Sequence, residues 1–248
     1  YFSNAKINGI DIKKSDKLDI SFKGEFSHLI ENDNISKLFS FLVENKIIKK
    51  EFFSIEIIKN IPVGAGLGGG SSNLASILNY LEDKNFINLN DKIHVSRELG
   101  SDIEFFLNDG QAVITGKGKV DSRGSMREEL YAVIVYPNIV LSTEQVYKSV
   151  SSFDTKQVNS NINLNQTSLF EILEKNNNFL EIAAIKICPE IKKILEILKS
   201  CPNCFFPRMT GSGSSCFGVF KEKDEAKYVE NDLKIRYPDW WTCSAKII

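Results

Sequence analysis

Pro62-Val63-Gly64-Ala65-Gly66-Leu67-Gly68-Gly69-Gly70-Ser71-Ser72 carries five glycines in eleven residues and stands between two stretches of regular apolar spacing. Upstream, Phe53, Ile55 and Ile57 alternate with polar residues, as a half-buried strand does. Downstream, Leu74, Ile77, Leu78 and Leu81 recur at helical spacing. A glycine-rich turn from strand to helix has the makings of a phosphate cradle. Glycine accepts positive φ angles and has no Cβ, so consecutive backbone N–H groups can converge on an anion. The first N–H groups and positive dipole end of the following helix face the same place. Ser71 and Ser72 are expected to open that helix, since Ser is a favoured N-cap.

Other loop types share these letters. A Walker-type loop ends in Gly-Lys-Ser/Thr, and Gly70-Ser71-Ser72 has no lysine, which excludes it. A protein-kinase glycine loop lies between two strands, whereas the segment after this one reads as a helix. A flexible linker would be flanked by polar low-complexity sequence instead of a strand and an amphipathic helix. A dinucleotide fingerprint stays open, because Gly64, Gly66 and Gly69 satisfy G-x-G-x-x-G. Against it, Lys59 to Val63 separate the strand core from the first glycine, and a dinucleotide loop turns tightly off its strand.

Extended by Asn73, the stretch resembles the second motif of the GHMP small-molecule kinases, in the form carried by the 4-diphosphocytidyl-2-C-methyl-D-erythritol kinases. The superfamily form is looser, typically Pro-x-x-x-Gly-Leu-Gly-Ser-Ser-Ala, so the triple glycine is the specific part. Three further segments resemble the same family, in its order. Ala5-Lys6-Ile7-Asn8 is similar to its first strand. Leu99-Gly100-Ser101-Asp102-Ile103-Glu104-Phe105-Phe106 is similar to the segment whose aspartate addresses the substrate hydroxyl, and Met209-Thr210-Gly211-Ser212-Gly213-Ser214-Ser215-Cys216 to the third motif. Without the family each has a plainer reading: a surface charge for Lys6, a helix N-cap for Asp102, and a hairpin turn for the second glycine loop. In the family the first motif continues into an apolar strand and a Gly-Tyr-His segment that helps bind the substrate. Here Asn8 is followed directly by Gly9-Ile10-Asp11-Ile12-Lys13-Lys14. The expectation is that a mobile substrate loop is missing from the given chain, since deleting the middle of a strand–loop–strand unit should disrupt the fold.

The resemblance implies an α+β, two-lobed GHMP kinase fold. Residues 1–150 would form an N-terminal, ribosomal-protein-S5-like ATP-binding lobe and residues 151–248 a C-terminal, ferredoxin-like lobe. It implies transfer of the ATP γ-phosphoryl group to the 2-hydroxyl of 4-diphosphocytidyl-2-C-methyl-D-erythritol, in non-mevalonate isoprenoid biosynthesis. On this reading Pro62 to Ser72 hold the phosphates, Asp102 is the base, and Lys6 offsets developing charge and keeps Asp102 ionised. Asn8, Thr210, Gly211, Ser212 and Gly213 face the substrate. Mg²⁺ is expected with ATP, mainly on phosphate oxygens; Glu104 and Ser72 are candidates only, and no ligand is assigned. Two alternatives remain: another small-alcohol kinase of the superfamily, such as a mevalonate-type enzyme, and a nucleotide-binding module without catalysis.

Whole-chain properties bound the answer. In 248 residues, 42% hydrophobic and 25% charged content is ordinary for a globular chain, which argues against global disorder. A net charge of −1 gives no footprint for nucleic acid or an anionic membrane. No apolar run approaches the roughly 18 residues of a membrane-spanning helix, and Tyr1 to Lys6 lack a signal-peptide pattern, so a soluble cytoplasmic protein is expected. Five cysteines, an odd and low number, argue against a disulfide framework. Cys201-Pro202-Asn203-Cys204 has redox or zinc half-site spacing, but with no second pair and only His28 and His94 available, incidental thiols are expected.

Elsewhere the pattern predicts a strand at Leu18, Ile20 and Phe22, and a helix through Ile35, Leu38, Phe39, Leu42 and Val43 with Asn34 as its cap. A helix is predicted over 91–99 with Gly100 as its stop, then strands over 111–115 and 131–136. Gly116-Lys117-Gly118 reads as a turn and 121–125 as less ordered. The polar stretch 151–167 reads as a linker or surface loop between lobes. Ile191, Ile194, Leu195 and Leu198 predict a helix, and a helix over 223–236 and a strand over 242–247 close a βαβ-type lobe.

Overall fold

The computed structural model describes residues 9–30, 34–49, 52–116, 118–125, 128–150 and 163–247. The chain forms two compact units. One takes the described residues up to Val63 together with Gly68–Gly124; the other takes Gly64–Leu67 and the described residues from Ser125 onward.

In the first unit the order is β1 (Gly9–Ser15), β2 (Asp19–Lys23), α1 (Asn34–Glu44), β3 (Phe52–Ile58), α2 (Gly69–Asp83), α3 (Leu89–Leu99), α4 (Ile103–Phe106), β4 (Gln111–Thr115) and β5 (Lys119–Gly124). Strand β3 is central in a three-stranded sheet, antiparallel to β1 and parallel to β2, with Ile55 opposite both Ile12 and Ile20. Its alternation delivers Phe53, Ile55 and Ile57, all fully buried, to one face. There the apolar stripes of α1 (Leu38, Leu42) and α2 (Leu74, Leu78, Leu81) close the core with them. Period two and period 3.6 thus meet on one surface, and α2 follows β3 through the glycine stretch.

Two elements differ from the sequence expectation. Helix α3 starts at Leu89, earlier than 91, because Asn88 caps it in a reciprocal box: the Asp91 N–H donates to Asn88 Oδ1 at 3.0 Å and the Asn88 N–H to Asp91 Oδ2 at 3.3 Å. Of the stretch 121–125, expected to be less ordered, residues 121–124 fall within β5, which begins at Lys119. Its ladder with β4 runs from Thr115 opposite Lys119 to Gln111 opposite Gly124, and that pairing supplies what the local sequence lacks.

The second unit contains β6 (Leu130–Tyr136), α5 (Thr143–Lys148), α6 (Leu169–Lys175), α7 (Glu181–Ile187), α8 (Glu190–Ser200), β7 (Phe205–Met209), β8 (Cys216–Phe220), α9 (Lys223–Arg236) and β9 (Trp241–Ile247). The sheet order is β7-β8-β6-β9, every neighbouring pair antiparallel. Strands β8 and β9 therefore run parallel to each other with β6 between them, and β6 and β7 likewise flank β8. This pair of split βαβ units is the ferredoxin-like arrangement. Val133, Val135 and Phe220 pack under Ile191, Ile194 and Leu198 of α8 and Val229 and Leu233 of α9. Of the polar stretch 151–167, residues 151–162 lie outside the described residues; β6 and α5 before it share one unit with everything after it.

Candidate active site

The glycine stretch is divided between the units. Gly64–Leu67 belongs with the second, and within it Ala65 and Leu67 are buried. Gly66 has φ +73 and lies against the loop between β7 and β8. A Cβ on it would stand 2.8 Å from the Gly213 carbonyl oxygen and 2.9 Å from that of Thr210. No side chain fits between backbones that close. The Thr210 hydroxyl donates to the Gly66 carbonyl at 2.9 Å, so the second glycine loop is tied directly to the first.

That second loop is a hairpin connection, as the plainer reading expects, and it is braced from its own unit. The Asn178 amide donates to the carbonyls of Met209 and Gly211 at 2.9 and 2.8 Å, and Glu181 accepts the Met209 N–H at 2.9 Å. The hydroxyls of Thr143 and Ser212 lie 2.8 Å apart, and the Ser214 hydroxyl donates to the Ile139 carbonyl. Thr210, Gly211, Ser212 and Gly213 thus share one fixed loop, and the Thr210 hydroxyl is committed to holding the glycine stretch.

In the first unit, Pro62 and Val63 lead to the break and Gly68 resumes the chain. The spacing predicts a helix opened by Ser71 and Ser72; α2 instead starts at Gly69. Gly68 is its N-cap, at φ +68, and gives no side-chain cap. The Ser72 N–H makes the first intrahelical bond, to the Gly68 carbonyl at 2.9 Å. The N–H groups of Gly69, Gly70 and Ser71 precede it, at the positive end of a 15-residue helix whose cap residue has no side-chain oxygen to offer them. Glycine in place of a Ser or Asp cap leaves these donors without a side-chain acceptor from the cap.

Asp102 sits at the N-cap position of α4, half-buried, with Ile103 packed into the core behind it. Its side chain makes no capping bond to the helix, so position alone does not account for it. The Ser101 hydroxyl donates to Asp102 Oδ1 at 3.2 Å. Lys6 and Asn8, the other residues of the expected reacting group, lie outside the described residues.

Glu104 was a candidate metal ligand by sequence, but its carboxylate is gripped at both oxygens by Arg97, at 2.7 and 3.0 Å. Those hydrogen bonds hold its carboxyl below the usual range. Among the described residues no group of three His, Cys, Asp or Glu side chains could hold a metal ion. Cys201 and Cys204 are free thiols, and burial pushes Cys204 up to about 12, far from a reactive thiolate.

One residue escaped the sequence. Lys59, directly after β3, is 5% exposed, and burial lowers its amine to about 8. It has no acidic partner among the described residues. A lysine following an alternating strand gives no sign in sequence of being buried; its backbone is tied to the turn at Gly24–Phe26, whose Phe26 N–H donates to the Lys59 carbonyl at 3.0 Å.

The chain matches known proteins over most of its length. The family model described as GHMP kinases N terminal domain matches residues 35–110, and that described as GHMP kinases C terminal matches 149–239. The 4-diphosphocytidyl-2-C-methyl-D-erythritol kinase of Pelagibacter ubique (strain HTCC1062) is 35% identical over 234 residues, covering 92% of this chain and 82% of that protein. The protein of the same name from Anaplasma marginale (strain Florida) is 32% identical over 228 residues, covering 90% and 78%. Among solved structures, a 4-(cytidine 5'-diphospho)-2C-methyl-D-erythritol kinase superposes with a TM-score of 0.72 at 24% identity, over 96% of this chain and 85% of that one.

Proposed function

Because this chain belongs to the GHMP kinases, in the family of 4-diphosphocytidyl-2-C-methyl-D-erythritol kinases, we propose that it phosphorylates the 2-hydroxyl of 4-diphosphocytidyl-2-C-methyl-D-erythritol with ATP, a step of non-mevalonate isoprenoid precursor synthesis. The observation that carries the phosphate chemistry is the glycine run at Gly64, Gly66 and Gly68, all at positive φ, leading into a helix whose first N–H groups receive no side-chain cap. The relatives, at 30–35% identity over most of the chain, supply the substrate.

Phosphoryl transfer is mostly positioning plus charge stabilisation. Gly64 to Gly70 hold the ATP phosphates through backbone N–H groups, Ser71 adds a helix-end donor, and Ser72 supplies a hydroxyl. Asp102 accepts the proton of the attacking hydroxyl, and Lys6 offsets charge beside it. Asn8 and the loop from Thr210 to Gly213 face the substrate. Mg²⁺, when bound, neutralises phosphate charge; with Glu104 engaged by Arg97, the residues present fit a metal carried mainly on phosphate oxygens. No described helix is long and apolar enough to cross a membrane. A cytoplasmic site of action is part of the proposal, supported by free cysteines and a small polar substrate.

The test is phosphorylation of 4-diphosphocytidyl-2-C-methyl-D-erythritol by the purified protein with ATP, followed by mass spectrometry, with mevalonate and homoserine as competitors. The 2-phosphate product is expected. Reaction of another alcohol alone would overturn the substrate, and ATP binding without any product would overturn catalysis.

A further inference from the structure

Helix α4 is four residues long, too short to hold its own shape, since one turn leaves most of its carbonyls without intrahelical donors. Yet it sets the direction of Asp102, whose carboxylate takes no bond from it. Side chains from other elements hold it: the Asn79 amide of α2 donates to the Leu107 carbonyl at 3.0 Å, and two arginines bind further groups of the turn. Arg123, on β5, donates through Nη2 to the carbonyls of Glu104 and Phe105 at 2.8 and 2.7 Å and through Nη1 to that of Asn108 at 3.1 Å. Its guanidinium also lies over the Phe105 ring, 5.7 Å from the centroid. A planar fork with five donors satisfies three carbonyls at once in one fixed geometry. Arg97, from α3, grips the Glu104 carboxylate at both oxygens. On the same hairpin as Arg123, Gly118, at φ +94, passes so close to Ser101 that a Cβ on it would overlap the Ser101 carbonyl.

We propose that Arg123 is a positioning residue for phosphoryl transfer: with Arg97 and Gly118 it makes the β4–β5 hairpin a brace that fixes the Ser101–Asn108 turn and so aims Asp102. This rests on Asp102 being the base. It explains why a charged, weakly strand-forming segment is kept as β5. The hairpin is there to bring a guanidinium and a glycine onto the two ends of one turn.

The experiment compares wild type with Arg123→Gln, Arg123→Lys and, as a control for loss of a surface arginine, Arg236→Gln, whose guanidinium pairs with Asp232 on α9. Initial rates with 4-diphosphocytidyl-2-C-methyl-D-erythritol, calorimetric ATP affinity and thermal melting are measured on each. Arg123→Gln is expected to lower kcat tenfold or more while the ATP Kd stays within twofold. Arg123→Lys recovers part of the loss, because an ammonium reaches one carbonyl where the guanidinium reaches three, and Arg236→Gln is unchanged. A folded Arg123→Gln with kcat within twofold of wild type overturns the proposal. So does a loss in which kcat and ATP affinity fall together, which marks a purely structural role. If Arg123→Gln does not fold, Arg123→Lys decides by the same split. A readout independent of turnover is the ¹³Cγ resonance of Asp102, assigned by Asp102→Asn. It is expected as one sharp line in wild type and as broadened or multiple lines in the Arg123 variant. An inactive wild type would defeat the kinase reading while this spectrum still decides the brace.

Discussion

Replacing Gly66 with alanine puts one methyl group where two loops meet. At φ +73 a non-glycine residue costs about 1–2 kcal/mol. The new Cβ would also stand 2.8 and 2.9 Å from two backbone oxygens, which cannot swing aside as side chains do, so the strand of the loop must move. Movement breaks the 2.9 Å bond from Thr210 to the Gly66 carbonyl, a further loss of about 0.5–1.5 kcal/mol. The sum is about 1.5–3.5 kcal/mol, and at about 1.4 kcal/mol per decade a loop that holds ATP phosphates loses roughly tenfold or more in affinity. Gly116→Ala serves as the control, since Gly116 has φ +56 but nothing within 4 Å of a Cβ and stands outside the cradle. It should lower stability a little and leave ATP binding within about twofold. Titration calorimetry with a non-hydrolysable ATP analogue, beside thermal melting, reads both. A folded Gly66→Ala protein that binds the analogue as wild type does would refute the assignment of this loop to phosphate.

Three other outcomes are expected. Asp102→Asn should cut kcat by roughly 10²–10⁴ with ATP affinity within a few-fold, and near-normal kcat would remove Asp102 from the role of base. Glu230, its side chain 4% exposed, would be raised by burial alone, but hydrogen bonds from Lys227, Lys234 and Ser244 outweigh that and bring it to about 2. Because its folded value lies below its unfolded one, it adds stability above about pH 4.5 that disappears as pH falls toward 2, at most about 3 kcal/mol for a shift of this size. Denaturant unfolding of Glu230→Gln should show lower stability at pH 7 and a flatter slope between pH 4.5 and 2; an unchanged slope would count against it. Lys59 has the opposite sign: its depressed amine costs stability that is fully felt below about pH 8 and fades toward 10.5. Lys59→Met should therefore stabilise the protein at pH 7 and gain less at pH 10, and an equal gain at both would show that charge is not the cause.

Much of the fold was legible where a repeat in the sequence is also a repeat in space. Phe53, Ile55 and Ile57, the stripes of α1 and α2, and the helix over 223–236 appear where their periods put them, since each period is fixed by local backbone geometry. The glycine motif likewise declared a strand–loop–helix turn. Boundaries were less legible. The cap of α2 turned out to be a glycine ahead of both serines, and α3 began at a capping box earlier than its apolar pattern. Strand β5 was missed altogether, because strand formation in a charged segment comes from its partner strand and not from its own residues.

The site divides the same way. By itself the sequence determined the chemistry available: the glycines, the aspartate and their order along the chain depend on residue identity and spacing alone. It could not say that Thr210 spends its hydroxyl on Gly66, that Glu104 is taken by Arg97, that Arg123 caps the turn after Asp102, or that Lys59 is buried. Each of those joins residues on different elements or depends on what covers a side chain. The energy of such a contact exists only once the intervening chain has folded and brought both partners out of water together, so only the tertiary structure could decide it.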